Sequence, residues 1–116
     1  MPTLCLEALG MRPELPKGNL GLLLLTILKD GPAPGYATIE ELRWRSDDAF
    51  DLPEGTIYPA LHRMERAGLL TSQWTESEGR RRRVYQLGRL GREALEEKQA
   101  EWQAFTRSVR LVLEGA

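Results

Sequence analysis

Four consecutive arginines, Arg80 to Arg83, are the residues of this chain with the plainest chemical capability. A guanidinium stays charged at any working pH and offers its donors in a planar fork that suits phosphate oxygens. They stand within a wider basic stretch. Residues 62–92 hold eight arginines (Arg63, Arg66, Arg80, Arg81, Arg82, Arg83, Arg89, Arg92) against Glu65, Glu76 and Glu78, a surplus of five positive charges. The remainder carries eight basic and fourteen acidic residues, so the net charge of −1 hides a polarised molecule. Such a patch suits contact with a polyanion. Catalysis finds no comparable support. A single His62 and a single Cys5 leave no metal cluster and no internal disulfide. Nor is there a Ser/His/Asp set, a catalytic carboxylate pair or a P-loop. The expectation is a protein that is not an enzyme and has no cofactor or metal.

The elements that must position these arginines follow from periodicity. A helix is predicted over residues 16–29, with Leu20, Leu23, Leu24, Ile27 and Leu28 on one stripe. Leu22 and Leu25 lie off that stripe, which suggests a second, partner-facing side. The Gly31-Pro32-Ala33-Pro34-Gly35 stretch stops this helix. A second helix over 36–45 would bury Tyr36, Ile39 and Leu42. A third, opened by Pro53 as its first helical residue and reaching Ala67, would bury Ile57, Leu61 and Met64 and end on Gly68. Pro59 inside it predicts a local bend, because the Gly55 carbonyl loses its donor. Alternation then predicts strands over 69–75 and 82–87 around a polar loop, 76–81. From Gly88 to Leu113 helical spacing returns. Leu95, Trp102, Phe105, Val109 and Leu113 form a stripe on a helix roughly 37 Å long. A small domain cannot cover that stripe, so a second copy of the chain is expected there.

At 116 residues, 41% hydrophobic and 28% charged, the chain reads as one ordinary globular domain. The apolar run Leu20–Leu25 is far short of the roughly 20 residues a membrane span needs. Residues 1–10 carry Glu7 and no basic start, and do not read as a secretory signal. A lone thiol suits a reducing, cytoplasmic setting. The predicted class is therefore mainly α with a small β-hairpin: a winged helix-turn-helix followed by a long carboxyl-terminal dimerisation helix. An arm (1–14) would precede the winged part (15–87), and the long helix would fill 88–116.

Specific residues sharpen this reading. Lys17-Gly18, Gly35-Tyr36, the stretch Gly55-Thr56-Ile57-Tyr58-Pro59-Ala60-Leu61-His62-Arg63-Met64-Glu65, and Gly68-Leu69-Leu70 resemble the PadR family of transcriptional regulators. The segment Trp74 to Arg83, with Val84-Tyr85-Gln86-Leu87 and Gly91, is similar to that family's wing and following strand. The resemblance covers about residues 15–105. It implies a homodimer that binds a pseudo-palindromic DNA operator, usually as a repressor, and lets go when an effector or signal arrives. The short carboxyl-terminal region resembles the smaller subfamily, whose members can bind flat aromatic compounds at the dimer centre.

The DNA-facing set that this implies is Lys17, Tyr36, Gly55, Thr56, Tyr58, Pro59, His62, Arg63 and Arg80, Arg81, Arg82 and Arg83. Glycine allows close backbone approach, hydroxyls donate to phosphate, and arginine serves both phosphates and the minor groove. The expected dimer interface is Leu22, Leu25, Leu95, Trp102, Phe105, Val109 and Leu113. Trp102 is also the residue that could stack on a planar effector. Two other readings are a winged-helix module that binds a protein and a drug-sequestering binder without DNA specificity.

Overall fold

The computed structural model describes residues 19–115, in which four helices surround a small sheet. Lys17, Cys5 and the arm over residues 1–14 lie outside the described residues. Helix α1 spans Asn19–Lys29, strand β1 Ala33–Pro34, α2 Gly35–Arg45 and α3 Glu54–Arg66. Strands β2 (Leu70–Ser77) and β3 (Arg80–Leu87) form the hairpin, and α4 runs Arg89–Glu114.

Helix α1 is the centre of the core. It packs against α2, α3, β3 and α4, which explains why it is apolar nearly all round. Leu24, Leu25, Ile27 and Leu28 are buried, and Leu20, Leu22 and Leu23 pack against the same core. This corrects one expectation. Leu25 is 0% exposed within a single chain and has no area left for a partner, whereas Leu22 is half-buried and keeps part of its surface open.

The sheet has three strands rather than two, in the order β1-β3-β2. Two residues of the helix-stopping stretch form β1, with Ala33 opposite Tyr85 and Pro34 opposite Val84. Pro34 is tolerated because β1 is an edge, where a missing donor costs no ladder bond. Helix α2 starts one residue earlier than predicted and turns Gly35, Thr38 and Leu42 inward. Tyr36, expected inside, is 42% exposed, and Ile39 is half-buried. The phase is set by Gly35, where any Cβ would run into the Tyr58 ring. Ser46 then closes the helix, donating to the Leu42 carbonyl at 2.6 Å and accepting from the Phe50 N–H at 2.9 Å.

Pro53 is the N-cap residue of α3 rather than its first helical residue, and no side chain caps that end. Its carbonyl accepts from Thr56 and Ile57 N–H at 2.9 and 3.1 Å. The helix continues through Pro59 and buries Ile57, Ala60, Leu61 and Met64. It ends as expected. Gly68 has φ +82°, while Leu69 N–H reaches the Met64 carbonyl and Gly68 N–H the Glu65 carbonyl, both at 3.0 Å.

The expected six-residue loop shrinks to two. Glu78 and Gly79 both have positive φ (53° and 77°), the signature of a tight hairpin turn whose twist matches its strands. Glu76, Ser77, Arg80 and Arg81 consequently belong to paired strand. Gly88 caps α4 and Gly115 ends it in the left-handed region. Helix α4 docks through Gly91, where a Cβ would strike the Leu69 carbonyl, and through Leu95, which is 3% exposed and part of the core. Leu95 thus also leaves the expected dimer set. Beyond it α4 projects, giving a long dimension of 55 Å and a radius of gyration of 16.5 Å. A compact chain of this size would have roughly 13 Å.

Candidate nucleic-acid interface

Burying Ile57, Ala60, Leu61 and Met64 leaves the opposite side of α3 in solvent. Gly55, Thr56, Pro59, His62, Arg63 and Arg66 all lie on that exposed side, at spacings of one helical turn. From Gly55 onward the exposed positions of α3 carry no carboxylate, since Glu65 is half-buried and turned to the hairpin. Arg66 extends the exposed face by a turn. It was counted in the sequence's charge balance but omitted from the expected site.

Tyr58 is half-buried under Gly35. Burial holds its hydroxyl above the ordinary tyrosine pKa; Glu54 adds to the effect and Arg82 opposes it. Tyr85 is raised too, mainly by burial, with Arg83 opposing. His62 stands between the helix face and the sheet, its ring centroid 6.5 Å from that of Tyr85.

The strand period divides the four arginines. Arg80 and Arg81 are exposed beside the turn, with Arg81 lying over Trp74 at 4.8 Å. Arg82 faces the other side of the sheet and stacks on Tyr36 at 4.5 Å, which explains why that ring stays outside the core. Arg83 faces α3. Its Nη2–H donates to Glu65 Oε1 at 2.8 Å and its Nε–H to Ser72 Oγ at 2.8 Å, while the Ser72 hydroxyl donates to Glu65 Oε2 at 2.5 Å. Arg83 is therefore engaged inside the protein, a departure from its place in the expected DNA-facing set. Glu65 and Ser72 were absent from that set because they stand 18 and 11 residues from Arg83 in the chain, and only the packing of α3 on the hairpin brings the three together.

The second exposed surface is the distal half of α4. Trp102 and Phe105 are 45% and 60% exposed, with ring centroids 6.0 Å apart. Val109 and Leu113 continue the predicted stripe, and Leu111 and Val112 widen it. Among the described residues no group of His, Cys, Asp and Glu could hold a metal ion, and no helix is long and apolar enough to cross a membrane.

Known proteins share this arrangement. The transcriptional regulator PadR-like family profile matches residues 24–97. The transcriptional regulator Rv3488 of Mycobacterium tuberculosis is 34% identical over 96 residues, covering 83% of this chain and 87% of that protein. A PadR family transcription regulator from Clostridium difficile R20291 superposes with a TM-score of 0.75 at 35% identity, over 83% of this chain and 99% of its own. A PadR-like regulator from Bacillus cereus gives 0.76 at 30% identity, over 86% and 96%. The match spans the α3 face, the hairpin and the start of α4 together, and the chain belongs to the PadR-like family of transcriptional regulators.

Proposed function

We propose that this regulator acts as a homodimer that binds a pseudo-palindromic duplex, with α3 in the major groove and the hairpin on the flanking backbone. One observation carries the reading: from Gly55 onward the exposed face of α3 bears no carboxylate, and the same helix packs on β2, whose paired strand carries Arg80 and Arg81. Thr56, Pro59, His62 and Arg63 would meet base edges, and Tyr36, Tyr58, Arg80, Arg81 and Arg82 the backbone. Lys17 belongs to the same proposed set on the strength of the family resemblance. Residues 15–87 supply the reading surface and 88–116 the dimer helix.

Dimerisation is supported by the exposed stripe Trp102, Phe105, Val109 and Leu113. Two-fold symmetry then asks for half-sites about 34–36 Å apart. Repression, release by a planar aromatic effector stacked on Trp102, and action in the cytoplasm rest on the resemblance. An effector at the dimer centre could shift the separation of the two α3 helices and so favour the released state.

The test is fluorescence anisotropy of a duplex from the gene's own upstream region, beside a scrambled duplex, over a salt series. The expected result is preference for the native duplex and affinity falling linearly in log salt. The Arg80→Ala/Arg81→Ala variant should lower that slope by about 4 for the dimer, roughly one per phosphate contact from two arginines in each of two protomers. Absence of binding to either duplex at low salt would favour a protein-binding module, and an unchanged slope would remove the wing tip from the contact.

A further inference from the structure

The hairpin is long for its support. Strand β1 pairs with Tyr85 and Val84 only, so from Trp74 and Arg83 outward the sheet has just two strands. A two-stranded ribbon is marginal by itself in water. The first pair beyond that limit is Trp74 opposite Arg83, and here the chain places its closed ring of three hydrogen bonds among Arg83, Ser72 and Glu65.

We propose that Arg83 is a positioning residue that, through Glu65 and Ser72, locks the wing at a fixed angle to α3 so that both meet DNA as one rigid body. The inference rests on the DNA reading above but concerns a geometry that can be measured without DNA. Both carboxylate oxygens of Glu65 are used, and the ion-paired side chains of Arg83 and Glu65 are only 39% and 24% exposed. The guanidinium also lies 5.8 Å from the centroids of Trp74 and Tyr85. Two of the five guanidinium N–H donors are thus committed to charge-assisted bonds within the protein. Glu65 sits in the last turn of α3, so the clamp joins the far end of the exposed helix to the base of the free ribbon. Among the described residues, the other ion pairs join Asp30, just after α1, to α2, or lie within α2 and the turn after it. Of the four adjacent arginines, Arg80 and Arg81 are exposed beside the turn, Arg82 lies over Tyr36, and Arg83 is the one hydrogen-bonded to α3.

The first experiment is free of DNA. In a Cys5→Ser background, spin labels on Glu54→Cys and Ser77→Cys, diluted with excess unlabelled protein, report the distance between α3 and the wing tip. The distribution should be narrow in the parent and broad in Glu65→Gln and in Arg83→Lys. The lysine keeps the charge but loses the fork. Both variants are checked by thermal melting, and Arg83→Lys carries the test if Glu65→Gln does not fold. Unchanged distributions overturn the proposal.

The second experiment uses a duplex selected by the parent from a randomised pool. A clamp predicts that each variant lowers the ratio of selected to scrambled affinity by about tenfold, comparable to one misread base pair, with the salt slope unchanged. Were Arg83 a phosphate contact restrained by Glu65, Glu65→Gln would instead tighten binding, and Arg83→Ala would cut the slope by about 2, one contact from each protomer. Either result overturns the clamp. A parent that selects no duplex overturns the DNA reading, and the distance measurement then decides the clamp alone.

Discussion

Helices α1 and α4 are both rich in regularly spaced apolar residues, yet one is enclosed and the other is half bare. Around α1 the chain wraps α2, α3, β3 and the first turns of α4, so Leu24 and Leu25 see no solvent. Along α4 the cover ends near Leu95, and Trp102, Phe105 and Leu113 stand in water. Periodicity tells which side of a helix is apolar; it does not tell what covers that side.

The comparison breaks most visibly at Leu25. Leu25→Ala should cost about 2–5 kcal/mol of folding stability, as truncations in packed cores do. Leu113→Ala should leave the stability of a single chain within about 0.5 kcal/mol. Urea unfolding of dilute protein reads both, and similar losses at the two sites would erase the distinction. Phe105→Ala sharpens it from the other end. If α4 is covered by a second copy, self-association should weaken by about 2 kcal/mol, roughly 30-fold, in sedimentation equilibrium. An unaffected association would move the interface elsewhere.

Gly91 marks the place where the two regimes meet. Gly91→Ala should destabilise by about 1–3 kcal/mol, because the Leu69 backbone has to yield to the new methyl group. Thermal melting tests this, and a neutral result would mean that α4 docks more loosely than its contact with Leu69 implies. The smallest effect is expected at high pH. Burial raises the Tyr58 and Tyr85 pKa values above 10.0, so the folded chain holds those protons longer than the unfolded one. Stability should therefore stay constant below about pH 10 and fall above it. A urea midpoint measured from pH 8 to 11 should decline at the upper end; a rising midpoint would reverse the burial assignment.

The elements that could be read in the sequence were those governed by local rules. Gly68 at the end of α3, the Ile57, Leu61 and Met64 stripe, and the long helix from Gly88 to about Leu113 follow from spacing and backbone preference. The exposed face of α3 was equally accessible, since it is the complement of that stripe. What local rules missed was pairing. Strand β1 is two residues in a stretch that looks like a mere helix stop, and it is a strand only because β3 lies beside it. The hairpin loop looked like six residues because Glu76, Ser77, Arg80 and Arg81 are polar, but polar residues pair readily on a ribbon that both faces leave to water.

Taken alone, the amino-acid sequence determined that the chain is helical with a basic centre, that its last helix outruns its core, and that it resembles the PadR family. These depend on composition, periodicity and short motifs, which are local quantities. Tertiary structure alone decided which leucines are inside, with Leu25 and Leu95 covered by their own chain. It also decided how four neighbouring arginines divide between solvent, Tyr36 and Glu65. Both outcomes depend on contacts between residues far apart in the chain, and a side chain's role is set by whatever the fold brings within a few ångströms of it.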